Sequence, residues 1–223
     1  MTHIAVIPAR KGSVGLPGKN RMFFDATADF VASVPWFDRV VVSTDDEVVA
    51  AKARERRFEV RERPADLAGP AVSIKAVFAD LIPAMGLGAD DRLWLFYLPI
   101  LYKNRPDFDA AKRIADAAGF DSLVSFVPAQ THPFNCWAYD GKSLRQYVAN
   151  DAFRRQDLPP AWMHYHYLAC FRAGAVPRLN SELIDANTHP IFLDAETTAN
   201  LIEVDTPEDF ARWKAHQAEA ARP

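Results

Sequence analysis

Apolar residues along this chain gather into short runs, separated by stretches with helical spacing. Residues 4–7 (Ile-Ala-Val-Ile) form one such run, closed by Pro8 and followed by a glycine-punctuated loop from Ala9 to Asn20. That order predicts a buried first strand that delivers a ligand loop. Residues 39–42 read as a second strand, and Thr44 with Glu47 reads as a capping box. The helix it opens, over 47–56, is expected to turn Val48, Val49 and Ala53 inward. Residues 58–61 resemble a short third strand, 73–81 a helix and 93–98 a central strand. Asp107 is expected to cap a helix running to 118, and 122–127 reads as a further strand. Strand and helix thus alternate over the first 128 residues, the pattern of a mostly parallel sheet covered on both faces. Ligands of such α/β sheets lie at the carboxyl ends of the strands, here the loops after Pro8, Val42 and Leu98.

The alternation breaks after Gln130. Aromatic residues (Phe134, Trp137, Tyr139, Tyr147, Phe153) alternate with polar turns such as Asp140-Gly141, which predicts a hairpin-like excursion over 130–168. Its apolar face either meets a second copy of the chain, as a homodimer contact, or folds back on its own sheet. Residues 164–171 return as a strand, and 201–205 are expected to form the last one. Thr206-Pro207-Glu208-Asp209 then starts the final helix with its cap, its first-turn proline and its capping-box acid. The tail after Lys214 is expected to fray. One domain spanning 1–223 accommodates these elements.

A net charge of −3 argues against a broad nucleic-acid surface, while a small anionic ligand in a local pocket fits it. The two cysteines, Cys136 and Cys170, make no CxxC pair and read as reduced residues of a cytoplasmic protein. The opening Met-Thr-His lacks the basic flank of a signal peptide, and no apolar run approaches a membrane span.

The chemistry concentrates in the first loop. Gly12, Gly15 and Gly18 let backbone approach a ligand, and Arg10, Lys11 and Lys19 place three cations within ten residues. A phosphate chain suits that set, with Arg for bidentate contact and Lys as a point charge. Neither GxxxxGK[ST] nor GxGxxG can be matched to it. A solvated basic surface loop is the plainer alternative.

Five blocks in order carry a resemblance. They are Ile7-Pro8-Ala9-Arg10-x-x-Ser13 with Leu16-Pro17-Gly18-Lys19-Asn20; Phe37-Asp38-Arg39-Val40-Val41-Val42-Ser43-Thr44-Asp45; Arg63-Pro64-Ala65-Asp66-Leu67-Ala68; Arg155-Gln156-Asp157-Leu158-Pro159; and Glu203-Val204-Asp205-Thr206-Pro207-Glu208-Asp209. Together they resemble the CMP-sugar synthetases, the acylneuraminate cytidylyltransferases and their 3-deoxy-manno-octulosonate relatives. The resemblance implies a three-layer Rossmann-like nucleotidyltransferase with a small dimerisation excursion. It implies transfer of CMP from CTP to a nonulosonic or related 2-keto-3-deoxy sugar acid, with release of pyrophosphate. By position, Arg10 and Lys19 would be catalytic and hold the triphosphate. Ala9, Lys11, Gly12, Ser13 and Asn20 would complete the nucleotide side, and Arg63 and Ser73 would frame the cytosine. Glu203 and Asp205 match an Asp-x-Asp that holds Mg²⁺; residues i and i+2 of a strand face the same way, so both carboxylates can reach one cation. The pair could equally serve the dipole of the following helix. Asp45 is expected either to contact ribose or metal or to act as a first-turn helix acid.

The sugar side departs from the family pattern. Val14 stands where a basic residue is usual, with Lys11 as the candidate substitute, and the 21–35 segment is short. The family's Gln-Pro-Thr-Ser-Pro-Leu-Arg becomes Leu98-Pro99-Ile100-Leu101-Tyr102-Lys103-Asn104, and an expected Asn-Gly becomes Tyr165-His166. Tyr102, Lys103, Asn104, Arg155, Gln156, His164 and His166 are therefore the candidates for a reshaped acceptor pocket. The alternatives are a homologue that binds nucleotide without catalysis, or a transferase for another base or acceptor. His164 and His166 would share a strand face, where they could also be hydrogen-bonded structural residues, and no third metal ligand is evident from sequence.

Overall fold

The computed structural model describes residues 1–117 and 119–220; the side chains of Arg155 and Ala220 lie outside the described set. Its centre is a seven-stranded sheet. The first half alternates as read from the sequence: β1 (His3–Pro8), α1 (Lys19–Ser33), β2 (Arg39–Thr44), α2 (Glu47–Glu55), β3 (Glu59–Glu62), α3 (Ile74–Ala84), β4 (Arg92–Leu95), α4 (Arg105–Ala117) and β5 (Ser122–Pro128). A separate antiparallel hairpin, β6 (Trp137–Tyr139) with β7 (Leu144–Gln146), follows. The chain then re-enters the sheet as β8 (Trp162–Arg172) and β9 (Thr188–Phe192), and closes with α5 (Ala195–Asn200) and α6 (Pro207–Ala220). Strand order is β3-β2-β1-β4-β8-β5-β9, with β8 antiparallel to both neighbours and the other pairings parallel.

The apolar runs are continuous because the inner strands are buried on both faces. Along β1, Ala5 and Ile7 join one core cluster with α1, α2 and α4, while Ile4 and Val6 join the other with α3 and the 176–183 segment. Trp94 of β4 faces the first cluster and Leu93 and Leu95 the second. Three layers follow directly from this two-sided burial.

Several local expectations need correction. The α2 cap is Asp46, whose side chain accepts from Val48 N–H at 3.0 Å, so Thr44 and Glu47 form no capping box. Val48 consequently faces solvent and Ala50 takes its inward place. Helix α4 begins at Arg105, two residues before the expected cap, and Asp107 sits in its first turn. Residues 201–205 form no strand; only an isolated antiparallel bridge, Ile100 to Glu203, ties them to the sheet region. The parallel edge strand β9 was missed altogether, because Thr188-His189-Pro190-Ile191-Phe192 contains a proline and lacks alternation. The capping box at α6 does form: Asp209 N–H donates to Thr206 Oγ1 at 3.1 Å and Thr206 N–H donates to Asp209 Oδ2 at 3.0 Å. That helix runs past Lys214 to Ala220. The excursion ends where β8 begins at Trp162, short of the expected 168.

His3, buried at the start of β1, makes the fold sensitive to acid. Trp94 Nε1–H donates to its Nδ1 at 3.0 Å, so the ring proton sits on Nε2 and points to Asp116 Oδ1 at 2.9 Å. Burial lowers the pKa of the ring below 6.5, although Asp116 pulls it upward. The unfolded chain therefore binds the extra proton first. Stability is fully present above about pH 6.5 and declines as pH falls below it. Buried His166, lowered for the same reason, adds to that slope. Denaturant midpoints measured from neutral pH downward should fall, and His3→Gln should flatten part of the decline; identical slopes would assign it elsewhere.

Candidate active site

The carboxyl ends of β1, β3 and β4 open onto a cavity of about 320 Å³ lined by Arg10, Lys19, Asn20, Arg63, Tyr97, Glu203 and Asp205. Val72, Ile74, Val77, Pro8 and Pro99 supply its apolar wall. The basic loop is fixed from both sides. Ala9 N–H continues the ladder to Ser43 O at 2.9 Å, and Thr44 Oγ1–H donates to Ala9 O at 2.5 Å. Lys11 N–H donates to Asp45 Oδ1 at 2.7 Å, so Asp45 anchors the loop, a role neither reading of the sequence gave it. From the other side, Asn20 Nδ2–H donates to Arg10 O at 2.8 Å. Gly18, at φ 72°, turns the chain into α1, whose first turn carries no acid to compete for an anion.

This scaffold leaves cationic groups facing the cavity. Among the described residues the Arg10 guanidinium has no hydrogen bond or ion pair. Arg63 is buried, and its side chain donates to Ser43, from Nε to Oγ at 3.2 Å and from Nη2 to the carbonyl at 2.9 Å. Burial pushes its pKa down, Asp45 counters this, and the like charge of Arg10 adds to the depression. An anion between Arg10 and Arg63 would relieve both strains. Lys19 is paired with Asp205. Ser13 Oγ is buried without a partner among the described residues. A Cβ at Gly12 would lie 4.0 Å from Arg10 Nη1, in ordinary contact, and the Lys11 side chain is exposed. Val14 is 82% exposed and contributes no charge to this loop.

Glu203 and Asp205 reach the cavity although no strand carries them. Val204 between them is fully buried, and its N–H donates to Pro99 O at 3.0 Å. The two flanking carboxylates therefore project to the same side, at the cavity. Glu203 is open at the mouth, yet its pKa is raised, first because protein displaces water around the carboxyl and next because Asp205 stands beside it. Gly15 packs against this segment so closely that a Cβ would collide with the Asp205 carbonyl. Overpacking of this kind costs about 1–3 kcal/mol, so Gly15→Ala should lower stability to denaturant by about that amount. Urea denaturation checks this; an unchanged midpoint would show that the 203–206 segment yields without cost.

A second cavity of about 240 Å³ adjoins the first, with Tyr97 and Glu203 in both walls. His164, Tyr165, His166, Glu182 and Ile100 complete it. The histidines are brought there by an irregularity in β8. Val124 pairs with Ala169 but the next residue, Ser125, pairs with Tyr165. Ser125 Oγ fills the interrupted ladder, accepting from Leu168 N–H at 3.0 Å and donating to Tyr165 O.

The remaining candidates lie elsewhere. Ser73 caps α3, accepting from Ala76 N–H at 3.2 Å, while its neighbours Val72 and Ile74 line the cavity. Tyr102 packs on Tyr167, and Asn104 N–H donates to the Tyr167 hydroxyl at 3.1 Å. Lys103 Nζ donates to Ile100 O at 2.6 Å, and burial pulls its pKa down to about 7. These three build the turn into α4 and line neither cavity. Gln156 is exposed on a short helical turn, Arg155–Asp157, in the excursion; the Arg155 side chain lies outside the described residues. Tyr97 and Glu182 were not identified from sequence: the first was hidden in an apolar strand run, and the second lies in a loop without a motif.

Fold and cavity together define a three-layer, Rossmann-like α/β architecture with its main cavity at the carboxyl ends of the parallel strands. Among solved structures, the chain is similar to a CMP:2-keto-3-deoxy-manno-octonic acid synthetase complexed with CTP. Identity is 15% and TM-score 0.66, covering 99% of this chain and 100% of that one. It is also similar to the 2-C-methyl-D-erythritol 4-phosphate cytidylyltransferase of Francisella tularensis, with 13% identity, TM-score 0.63, and 96% and 99% of the two chains covered. In sequence it is 27% identical over 229 aligned positions to the N-acylneuraminate cytidylyltransferase of Streptococcus agalactiae serotype V, covering 97% of this chain. Serotype III of the same species has a relative of equal identity and coverage. The chain spans 53% of the length of these curated relatives. No family model matches. The resemblance read from the five sequence blocks and these relatives agree.

Proposed function

We propose that this chain transfers CMP from CTP to the anomeric hydroxyl of a nonulosonic or related 2-keto-3-deoxy sugar acid. The observation that carries this reading is the convergence of Arg10, Lys19 and Arg63 with Glu203 and Asp205 on one cavity. A bond forms between the anomeric oxygen and the α-phosphorus, the bridge from α- to β-phosphorus breaks, and pyrophosphate leaves. The hydroxyl proton passes to solvent. Little covalent participation is asked of the protein, so positioning and charge complementarity carry the rate.

Arg10 and the loop N–H groups would hold the phosphate chain, and Arg63 would meet the nucleotide at the far wall. Glu203 and Asp205 fit Mg²⁺: two hard oxygen donors project to the same side of the cavity that Arg10 and Lys19 also line, and one of them already carries a raised pKa. Bound there, the ion would offset charge building on the α-phosphate. In this state Lys19 neutralises Asp205. With nucleotide and metal present, Lys19 would exchange that carboxylate for a phosphate oxygen. The second cavity, reached past Tyr97 and Glu203, supports an acceptor site.

We also propose that two copies meet through the excursion. Tyr139, Leu144, Tyr147 and Phe153 are 67%, 65%, 65% and 90% exposed, large apolar side chains that a partner would cover. Tyr139→Glu with Phe153→Glu should then halve the mass seen by light scattering. The two free cysteines support a reducing, cytoplasmic setting.

Pyrophosphate release from CTP, with Mg²⁺ and a panel of nonulosonic and octulosonic acids, tests the reaction. Release with one acid names the acceptor. Silence across the panel with a CTP-dependent rise in Tm would favour a nucleotide-binding homologue, a reading supported by the rewritten 98–104 turn. Silence without CTP binding would overturn the assignment of the basic loop.

A further inference from the structure

We propose that His164, His166 and Glu182 form a binding site for a divalent transition-metal ion of the zinc type, separate from the Glu203–Asp205 pair. Each of the three residues offers one ligand atom, and these atoms lie within 4.8 Å of one another. They share the wall of the cavity beside the nucleotide cavity.

The chemistry of the three groups favours a metal. A backbone carbonyl can only accept, so the 3.1 Å contact from His166 Nε2 to Glu182 O fixes the ring proton on Nε2. Its other nitrogen keeps a lone pair, the arrangement in which a carbonyl orients a metal-binding imidazole. His164 Nε2 stands 3.5 Å from Glu182 Oε2, too far for a good hydrogen bond. Ligand atoms about 2.0–2.1 Å from zinc lie roughly 3.3–3.4 Å apart in a tetrahedral site. Rotations of two partly or fully exposed side chains would bring the set to that spacing. Charge points the same way, since Glu182 and Glu203 both face this cavity and no Lys or Arg among the described residues lines it. Two imidazoles and one carboxylate suit zinc better than magnesium.

Three protein ligands leave one coordination position open, directed into the cavity. An anionic oxygen of an acceptor would bind there, a consequence that rests on the proposed function; the metal site itself does not.

The test uses the full, tag-free chain stripped with a chelator. Co²⁺ titration followed by visible absorption, and Zn²⁺ titration against a chromophoric chelator, should each give one equivalent per chain with a four-coordinate cobalt spectrum. Affinity should fall at least tenfold in Glu182→Gln and further in His164→Ala, both of which alter exposed or half-exposed side chains. Asp205→Asn should leave cobalt binding unchanged. A CTP-dependent shift in Tm for each variant confirms that it is folded, and keeps failure here distinct from failure of the nucleotide assignment. Wild-type protein without stoichiometric binding, or binding that survives both His164→Ala and Glu182→Gln, overturns the site.

Discussion

Arg10→Ala is expected to lower the rate of pyrophosphate release by about two to three orders of magnitude, the range seen when one preorganised charge-stabilising donor is removed. The side chain stands at the end of β1 with its guanidinium unengaged among the described residues, so none of its charge is committed to holding the fold. The loop that presents it is held by main-chain contacts instead, Lys11 N–H on Asp45 and Arg10 O under Asn20. The variant should therefore melt within about 0.5 kcal/mol of the wild type, as surface substitutions usually do. Repulsion between Arg10 and buried Arg63 should even ease when Arg10 is removed. Arg10→Lys restores a charge without the bidentate fork and should recover only part of the loss. A variant with near-normal turnover would remove Arg10 from the triphosphate site, leaving Lys11 or Lys19 to fill it.

The parts of this site visible in the sequence are those written locally. An apolar run ending in Pro8 and a basic, glycine-spaced loop mark a strand end and an anion cradle within twenty residues. The alternation of Glu203, Val204 and Asp205 gives their common facing even though the segment is bridged rather than paired as a strand. What stayed hidden depends on distant contacts. Asp45 reads as a helix acid until Lys11 N–H is seen resting on it, and Asp46, not Thr44, caps α2 because Thr44 is drawn to Ala9 O. Glu182 meets His164 and His166 only because β8 is irregular where Ser125 replaces a ladder partner, and nothing local to residue 182 announces it. Strand β9 pairs parallel with β5, and its only sequence signals, a proline and a mixed pattern, argue against a strand. Tyr102, Lys103 and Asn104 read as a reshaped acceptor pocket because they stand where the family pattern is rewritten, yet they contact Tyr167 and Ile100 in the turn into α4.

Asp205→Asn is expected to cost about three orders of magnitude in turnover, and to shift the Mg²⁺ dependence to higher concentration. Metal assistance to phosphate chemistry supplies several kcal/mol, and each 1.36 kcal/mol is tenfold in rate. Glu203→Gln should act in the same direction. Asp205 has a second relationship that the experiment must separate, its ion pair with Lys19. If the carboxylate served only to hold Lys19, then Asp205→Asn and Lys19→Ala would lower the rate alike and neither would move the metal titration. If it holds the ion, Asp205→Asn moves that titration while Lys19→Ala instead raises the KM for CTP. Stability does not confuse the comparison, because Asp205 is largely exposed and exposed pairs contribute at most about 1 kcal/mol. Freed from Asp205, Lys19 should also bind free triphosphate more readily. Asp205→Asn is thus expected to bind metal-free CTP as tightly as the wild type or tighter, while turning it over far more slowly.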